Sequence, residues 1–161
     1  MAEAEQLINA LRKELSTLIL ELRPAALGDQ GLATALQAYA ADWSRQTGIE
    51  AAVRAQNERF LPHGIEQALF RIAQEALANT ARHSGARHAD VWLGYESTGI
   101  TLNITDDGRG FDTAAVSDGF GLHSMQDRAE AIGAQMSIES RPAEGTRITI
   151  TCPIKESTEK K

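Results

Sequence analysis

Apolar residues recur at helical spacing in the first half of the chain and at strand spacing in the second. Ile8, Leu11, Leu15, Leu18 and Leu22 follow one another three and four residues apart, among Ala, Glu, Lys and Arg. That is the seam of a coiled coil or bundle helix. Roughly two heptads is short for an autonomous coiled coil, so the seam is expected either to continue a longer helix or to pack on its own domain. Pro24 ends it, because a proline pushes the residue before it out of the helical region. Residues 31–47 predict a second amphipathic helix, with Leu32, Leu36, Tyr39, Ala40 and Trp43 on one face and Gly48 placed as a left-handed cap. Residues 49–55 read as a short strand. Pro62 then suits the first turn of a third helix, along which Ile65, Leu69, Ile72, Ala76, Leu77 and Thr80 form one stripe reaching about His83.

Beyond this the period falls to two. Residues 89–93 and 100–105 read as strands with Gly99 in the turn between them, and residues 106–121 as a loop carrying Gly108, Gly110, Gly119 and Gly121. A helix over residues 122–132 stops at Gly133. Two last strands, 135–139 and 146–152, are joined by a turn that contains Pro142 and Gly145. Trp43 and Trp92 are assigned to the core, and Cys152 to a small core or edge position. The predicted architecture is α+β, a two-layer sandwich with a mixed sheet, helices on one face of it and an N-terminal helix in front.

Composition narrows the class. A chain of 161 residues with 42% hydrophobic and 24% charged residues suits one globular domain plus a short appendage and excludes wholesale disorder. Sixteen Lys+Arg against 22 Asp+Glu give a net charge of −6, which speaks against direct nucleic-acid binding, since that needs a concentrated basic face. A single cysteine excludes an internal disulfide framework and a multi-cysteine zinc site. No apolar run approaches the roughly 18–20 residues of a membrane span, and the expected location is cytoplasmic.

Three clusters carry candidate chemistry. On the third helix, Glu75 and Asn79 stand four residues apart and share a face, with Arg82 and His83 one turn on. A carboxylate beside an amide oxygen can hold Mg2+, and cationic groups beyond can meet phosphate; a solvated helix face is the plainer explanation. The second cluster, Asp106-Asp107-Gly108-Arg109-Gly110, follows a strand. A carboxylate at a strand end can accept a hydrogen bond from an exocyclic amine, although Asp-Gly is also a common turn signal. The third, Gly119-Phe120-Gly121-Leu122, opens a helix, and a helix N-terminus presents free N–H groups to an anion. An ordinary helix start explains it equally well. The chain lacks the Gly-Lys-Ser/Thr of a Walker-type loop.

Taken in order, Glu75-x-x-x-Asn79, Asp106-x-Gly108-x-Gly110, Gly119-x-Gly121-Leu122 and Gly145-Thr146 resemble the ATP-binding domain of two-component sensor histidine kinases. The likeness is to the short-lid subclass that includes nitrate-, envelope-stress- and membrane-fluidity-sensing kinases, and it runs from Leu22 to Ile154. It implies the Bergerat fold shared with gyrase-type and chaperone ATPases, and ATP and Mg2+ as ligands. By that resemblance Asp106 binds the adenine amino group, and Gly108 and Gly110 let the base approach the backbone. Asn79, with Glu75 as a further candidate, holds Mg2+, while Arg82 and His83 face phosphates or ribose. Gly119, Gly121 and Leu122 form the lid hinge and the phosphate-facing helix start, and Thr146 sits near adenine. Glu75 is the candidate catalytic residue, orienting a histidine acceptor or a metal-bound water.

The resemblance also implies an acceptor histidine followed by an acidic residue. His63, His83, His88 and His123 precede Gly64, Ser84, Ala89 and Ser124 instead. Residues 1–23 are therefore expected to be the end of a dimerisation helix whose acceptor lies upstream, 24–154 the catalytic domain, and 155–161 a disordered tail. The expected partners are that dimerisation domain and a response regulator. The full kinase is expected to be a homodimer, membrane-attached only through upstream regions if at all, and this chain alone a monomer. Two departures from the family pattern stand out: Thr80 replaces the usual Ala, and the interval from Phe111 to Gly119 makes a small lid. An ATP hydrolase of the same superfamily, or a non-catalytic nucleotide-sensing module, are the alternative functions.

Overall fold

The computed structural model describes residues 27–115 and 120–154, together with residues 4, 6–8 and 11 of the opening stretch. Helix α1 (Gly31–Thr47) buries Leu32, Leu36, Ala40 and Trp43 on one face and ends at Gly48, whose φ of 76° lets its N–H bond back to Ser44 at 2.9 Å. Strand β1 (Glu50–Gln56) follows, then helix α2 (His63–Asn79). Pro62 precedes α2 rather than lying in its first turn, and its carbonyl accepts the N–H groups of Ile65 and Glu66. The predicted stripe is the buried one: Leu69, Ile72, Ala76, Leu77 and Thr80 are all under 5% exposed.

Past Asn79 the helix does not run on as α-helix. Thr80–Ser84 form a π-helical turn that closes at Gly85, which adopts φ 62°. Strands β2 (His88–Glu96) and β3 (Gly99–Asp106) make a hairpin, helix α3 spans Phe120–Ala131, and β4 (Gln135–Ser140) and β5 (Thr146–Pro153) make a second hairpin. The five strands order as β1-β2-β3-β5-β4. Only β1 and β2 run parallel, across the α2 crossover, so the sheet is mixed as expected.

Alternation along the central strands puts Val91, Leu93, Leu102, Ile104, Ile148 and Ile150 on the face under the helices, where they meet Leu36, Leu69, Leu77 and Met125. Trp43 belongs to this core, but Trp92 does not. It occupies the alternate register between Val91 and Leu93, on the opposite, half-open face, and its ring lies where a side chain at Gly94 would stand. Cys152 is fully buried; burial pushes its thiol pKa up, and the sulfur lies 3.6 Å from the Ile132 carbonyl. Of the N-terminal seam, Ile8 and Leu11 are described and about half exposed. Leu15, Leu18 and Leu22, the residues 116–119 that include Gly119, and the tail 155–161 lie outside the described residues. No described helix is long and apolar enough to cross a membrane.

Candidate active site

A cavity of about 500 Å³ opens between α2, the start of α3 and the ends of β3 and β5, a size typical of a small-ligand site. One wall is the polar face of α2. Glu75 and Asn79 line it, and Arg82 and His83 continue it on the π turn. The Arg82 guanidinium lies 3.9 Å from Glu75 Oε1, a loose ion pair. The π turn keeps Arg82 and His83 on the cavity side although the α-helical period has ended; such turns recur at functional sites.

The opposite wall is strand-end chemistry. Pairing of β3 with β5 sets Asp106 directly across from Thr146, and pairing with β2 sets it across from Ala89. Asp106 Oδ1 accepts the Gly108 N–H at 2.9 Å and Oδ2 lies 3.2 Å from the Thr80 hydroxyl. Burial pushes the Asp106 carboxyl above its ordinary pKa, while the bonds from Gly108 and Thr80 oppose the rise. Thr146 shares its hydroxyl with Ser140 at 3.0 Å, and Ser140 also accepts from Phe111 N–H and donates to the Gly145 carbonyl. Ile104, Ile148 and Phe111 supply apolar lining near this end.

The third wall is the N-terminus of α3, where Gly121 and Leu122 reach the cavity. A side chain at Gly121 would come within 2.5 Å of Glu75 Oε1 and 3.0 Å of Asn79 Nδ2. The first turn of α3, the positive end of that helix's dipole, therefore sits against the polar face of α2.

The glycines of the second cluster serve close approach of protein to protein. A Cβ at Gly108 would meet Ser84 at 2.5 Å, and at Gly110, with φ 58°, it would run into the backbone carbonyl of Arg141. Gly110 lines the cavity, whereas Gly108 does not and packs against Ser84. The loop is held further by Arg109 N–H donating to the Ser84 carbonyl at 2.8 Å, and by Asp107. Asp107 Oδ1 accepts the N–H groups of Arg87 and His88, and its Oδ2 meets His88 Nδ1 at 2.8 Å. His88 reaches on to Glu50 at 3.1 Å. The structure thus gathers Glu75, Asn79, Arg82, His83, Asp106, Gly110, Gly121, Leu122 and Thr146 round one cavity. Sequence reasoning passed over Ser84, Ser140 and the lining residues Arg109 and Phe111. Arg109 lies inside a motif already singled out, whereas Ser140 depends on a hairpin register that no local signal gives.

Among known proteins, residues 64–156 match the family described as histidine kinase-, DNA gyrase B-, and HSP90-like ATPase. The chain is 36% identical over 155 residues to the signal transduction histidine-protein kinase/phosphatase DegS of Brevibacillus brevis, covering 94% of this chain and 40% of that protein. It is 34% identical over 151 residues to the sensor protein VraS of Staphylococcus aureus, covering 93% of this chain and 43% of that protein. The chain thus spans about two-fifths of the length of these relatives. Its fold matches the ATP-binding domain of PrrB from Mycobacterium tuberculosis with a TM-score of 0.60 at 21% identity, covering 78% of this chain and 96% of that one. It also matches a blue-light activated histidine kinase from Erythrobacter litoralis with a TM-score of 0.69 at 18% identity, covering 94% and 51%. The chain belongs to the histidine kinase-, DNA gyrase B- and HSP90-like ATPase family.

Proposed function

We propose that this domain holds Mg2+-ATP in the cavity and passes its γ-phosphoryl to a histidine imidazole on a dimerisation helix, for relay to a response regulator. The observation that carries the reading is the cavity's polarity. A half-buried, hydrogen-bonded carboxylate lines it together with a second carboxylate, an amide, an arginine, a histidine and a helix N-terminus. Asp106 accepts the adenine amine, with Thr146 beside it and Ile104, Ile148 and Phe111 against the ring. Gly110 keeps this wall free of side chain. Arg82, His83 and the α3 N-terminus at Gly121 and Leu122 receive the phosphates.

Asn79 and Glu75 offer hard oxygen donors, and the described residues contain no cluster of three or more His, Cys, Asp or Glu. That donor set fits an ion that keeps much of its water and shares phosphate oxygens, which is how Mg2+ binds. When bound, the ion neutralises phosphate charge. In the transfer, the bond from the γ-phosphorus to the bridging oxygen breaks, a phosphorus–nitrogen bond forms, and ADP leaves. The main work of this chain is positioning and charge stabilisation. Glu75 orients the imidazole by accepting its distal N–H.

On this reading residues 1–23 continue a dimerisation helix, residues 24–154 are the catalytic domain and 155–161 a tail. The domain works in the cytoplasm, monomeric by itself and dimeric in the full kinase. The test is transfer of γ-labelled phosphate to a separately supplied dimerisation domain bearing the acceptor histidine. Acid-labile label on the acceptor, and none on this chain alone, is the expected result. Glu75→Gln should bind nucleotide like the parent and transfer at least tenfold more slowly. Release of inorganic phosphate without labelled acceptor would instead identify a hydrolase, and binding with neither product a nucleotide-sensing module.

A further inference from the structure

Thr80 is 4% exposed and begins the π turn directly after Asn79. Its hydroxyl lies 3.1 Å from the Ala76 carbonyl one turn back and 3.2 Å from Asp106 Oδ2 across the cavity floor. A threonine on a helix commonly bonds back to the i−4 carbonyl merely to satisfy itself. Here the one proton has a second acceptor that carries charge, and charge-assisted hydrogen bonds are the stronger. We propose that Thr80 is a positioning residue for the purine base: its hydroxyl, with the Gly108 N–H, fixes the plane of the Asp106 carboxylate and so sets discrimination in favour of a base bearing an exocyclic amine.

Without the Thr80 contact, Asp106 keeps only backbone donors, the Gly108 N–H on Oδ1 at 2.9 Å and a weaker bond from the Thr146 backbone, and no side chain steadies it. The terminal torsion of an aspartate is broad, so a carboxylate held by these alone pivots more freely. The Thr80 hydroxyl on Oδ2, added to the Gly108 N–H on Oδ1, removes that freedom before ligand arrives. Each carboxylate oxygen has more than one lone-pair site, so Oδ2 can accept from Thr80 and from the amine together. Burial of Asp106 favours its protonated form, and a donor on Oδ2 also keeps it an acceptor. The clamp is itself rigid, because Thr80 is β-branched, buried and tied to Ser84 Oγ through its carbonyl at 2.6 Å.

The inference rests on Asp106 being the base contact. The experiment therefore measures affinity for Mg2+-ATP and for Mg2+-purine riboside triphosphate, which lacks the amine, in four proteins: the parent, Thr80→Val, Thr80→Ser and Asp106→Asn. Thr80→Val is expected to weaken ATP roughly five- to tenfold and leave purine riboside triphosphate unchanged, with Thr80→Ser restoring the parent's preference. Thr80→Ala removes the same hydroxyl from a smaller side chain and gives the same reading if the valine variant folds poorly. Equal weakening of both nucleotides, or no change in either, overturns the proposal in favour of a packing role. If Asp106→Asn loses the preference while Thr80→Val keeps it, only the Thr80 role fails. If Asp106→Asn keeps it, the base contact lies elsewhere and both readings fail.

Discussion

Gly121 stands against Glu75 so closely that a single added carbon would come within 2.5 Å of Glu75 Oε1. The atoms in the way, Glu75 Oε1 and the Asn79 amide, are the far ends of flexible side chains and can swing aside. Position 121 is helical, where alanine is favoured over glycine. Gly121→Ala should therefore leave the melting temperature within about 2 °C of the parent, yet displace Glu75 and Asn79, the two side chains proposed to hold Mg2+. The expected result is at least a tenfold loss of phosphotransfer with stability kept. Parent-like transfer would show that Glu75 and Asn79 need not hold their present positions.

Gly110 is the contrasting case. Its φ is 58° and the obstacle to a Cβ is the Arg141 backbone carbonyl, which cannot rotate away. Gly110→Ala should destabilise the fold by more than about 2 kcal/mol, lowering the melting temperature by roughly 4–8 °C for a domain of this size. A melting curve of the unliganded protein decides it, and an unchanged midpoint would contradict the packing of this loop against the β4–β5 turn.

The difference between these glycines was not legible in the sequence, where both sit in glycine-rich boxes. Element types and most boundaries were legible, because the α2 stripe through Leu69, Ile72, Ala76 and Leu77 and the alternation of Val91, Leu93, Leu102 and Ile104 are strong periodic signals. The π turn over Thr80–Ser84 was not, since five residues with a shifted bonding pattern leave no period to detect. Trp92 was misplaced by its hydrophobicity, although alternation with Val91 and Leu93 already put it on the far face. Motif order brought most of the site together. Ser140, Ser84 and the Thr80–Asp106 contact depend on tertiary register, to which local sequence is blind.

The exposed His88–Asp107 pair gives a pH signature. Hydrogen bonds from the His88 and Arg87 backbones and from the His88 ring hold the Asp107 carboxyl at about 2, below its ordinary 3.8. The bond to Asp107 holds His88 above its ordinary 6.5. A lowered carboxyl favours the folded state above its ordinary value and loses that as pH falls from about 4 toward 2. A raised imidazole favours it below 6.5 and loses that as pH climbs through the raised value. The stability gap between parent and His88→Ala should therefore be widest near pH 5–6 and narrow on both sides, read from urea midpoints. A gap independent of pH would show that the pair contributes no charge interaction.

A purine site anchored on Asp106 is tested most directly by thermal melts of the parent and Asp106→Asn with and without Mg2+-ATP. Ligand at about 100 times its dissociation constant adds roughly 2.7 kcal/mol to a protein that binds only when folded, a rise of about 5–10 °C at this size. The expected result is that rise in the parent and its loss in Asp106→Asn. No rise in the parent at millimolar nucleotide, or an equal rise in both proteins, would contradict it.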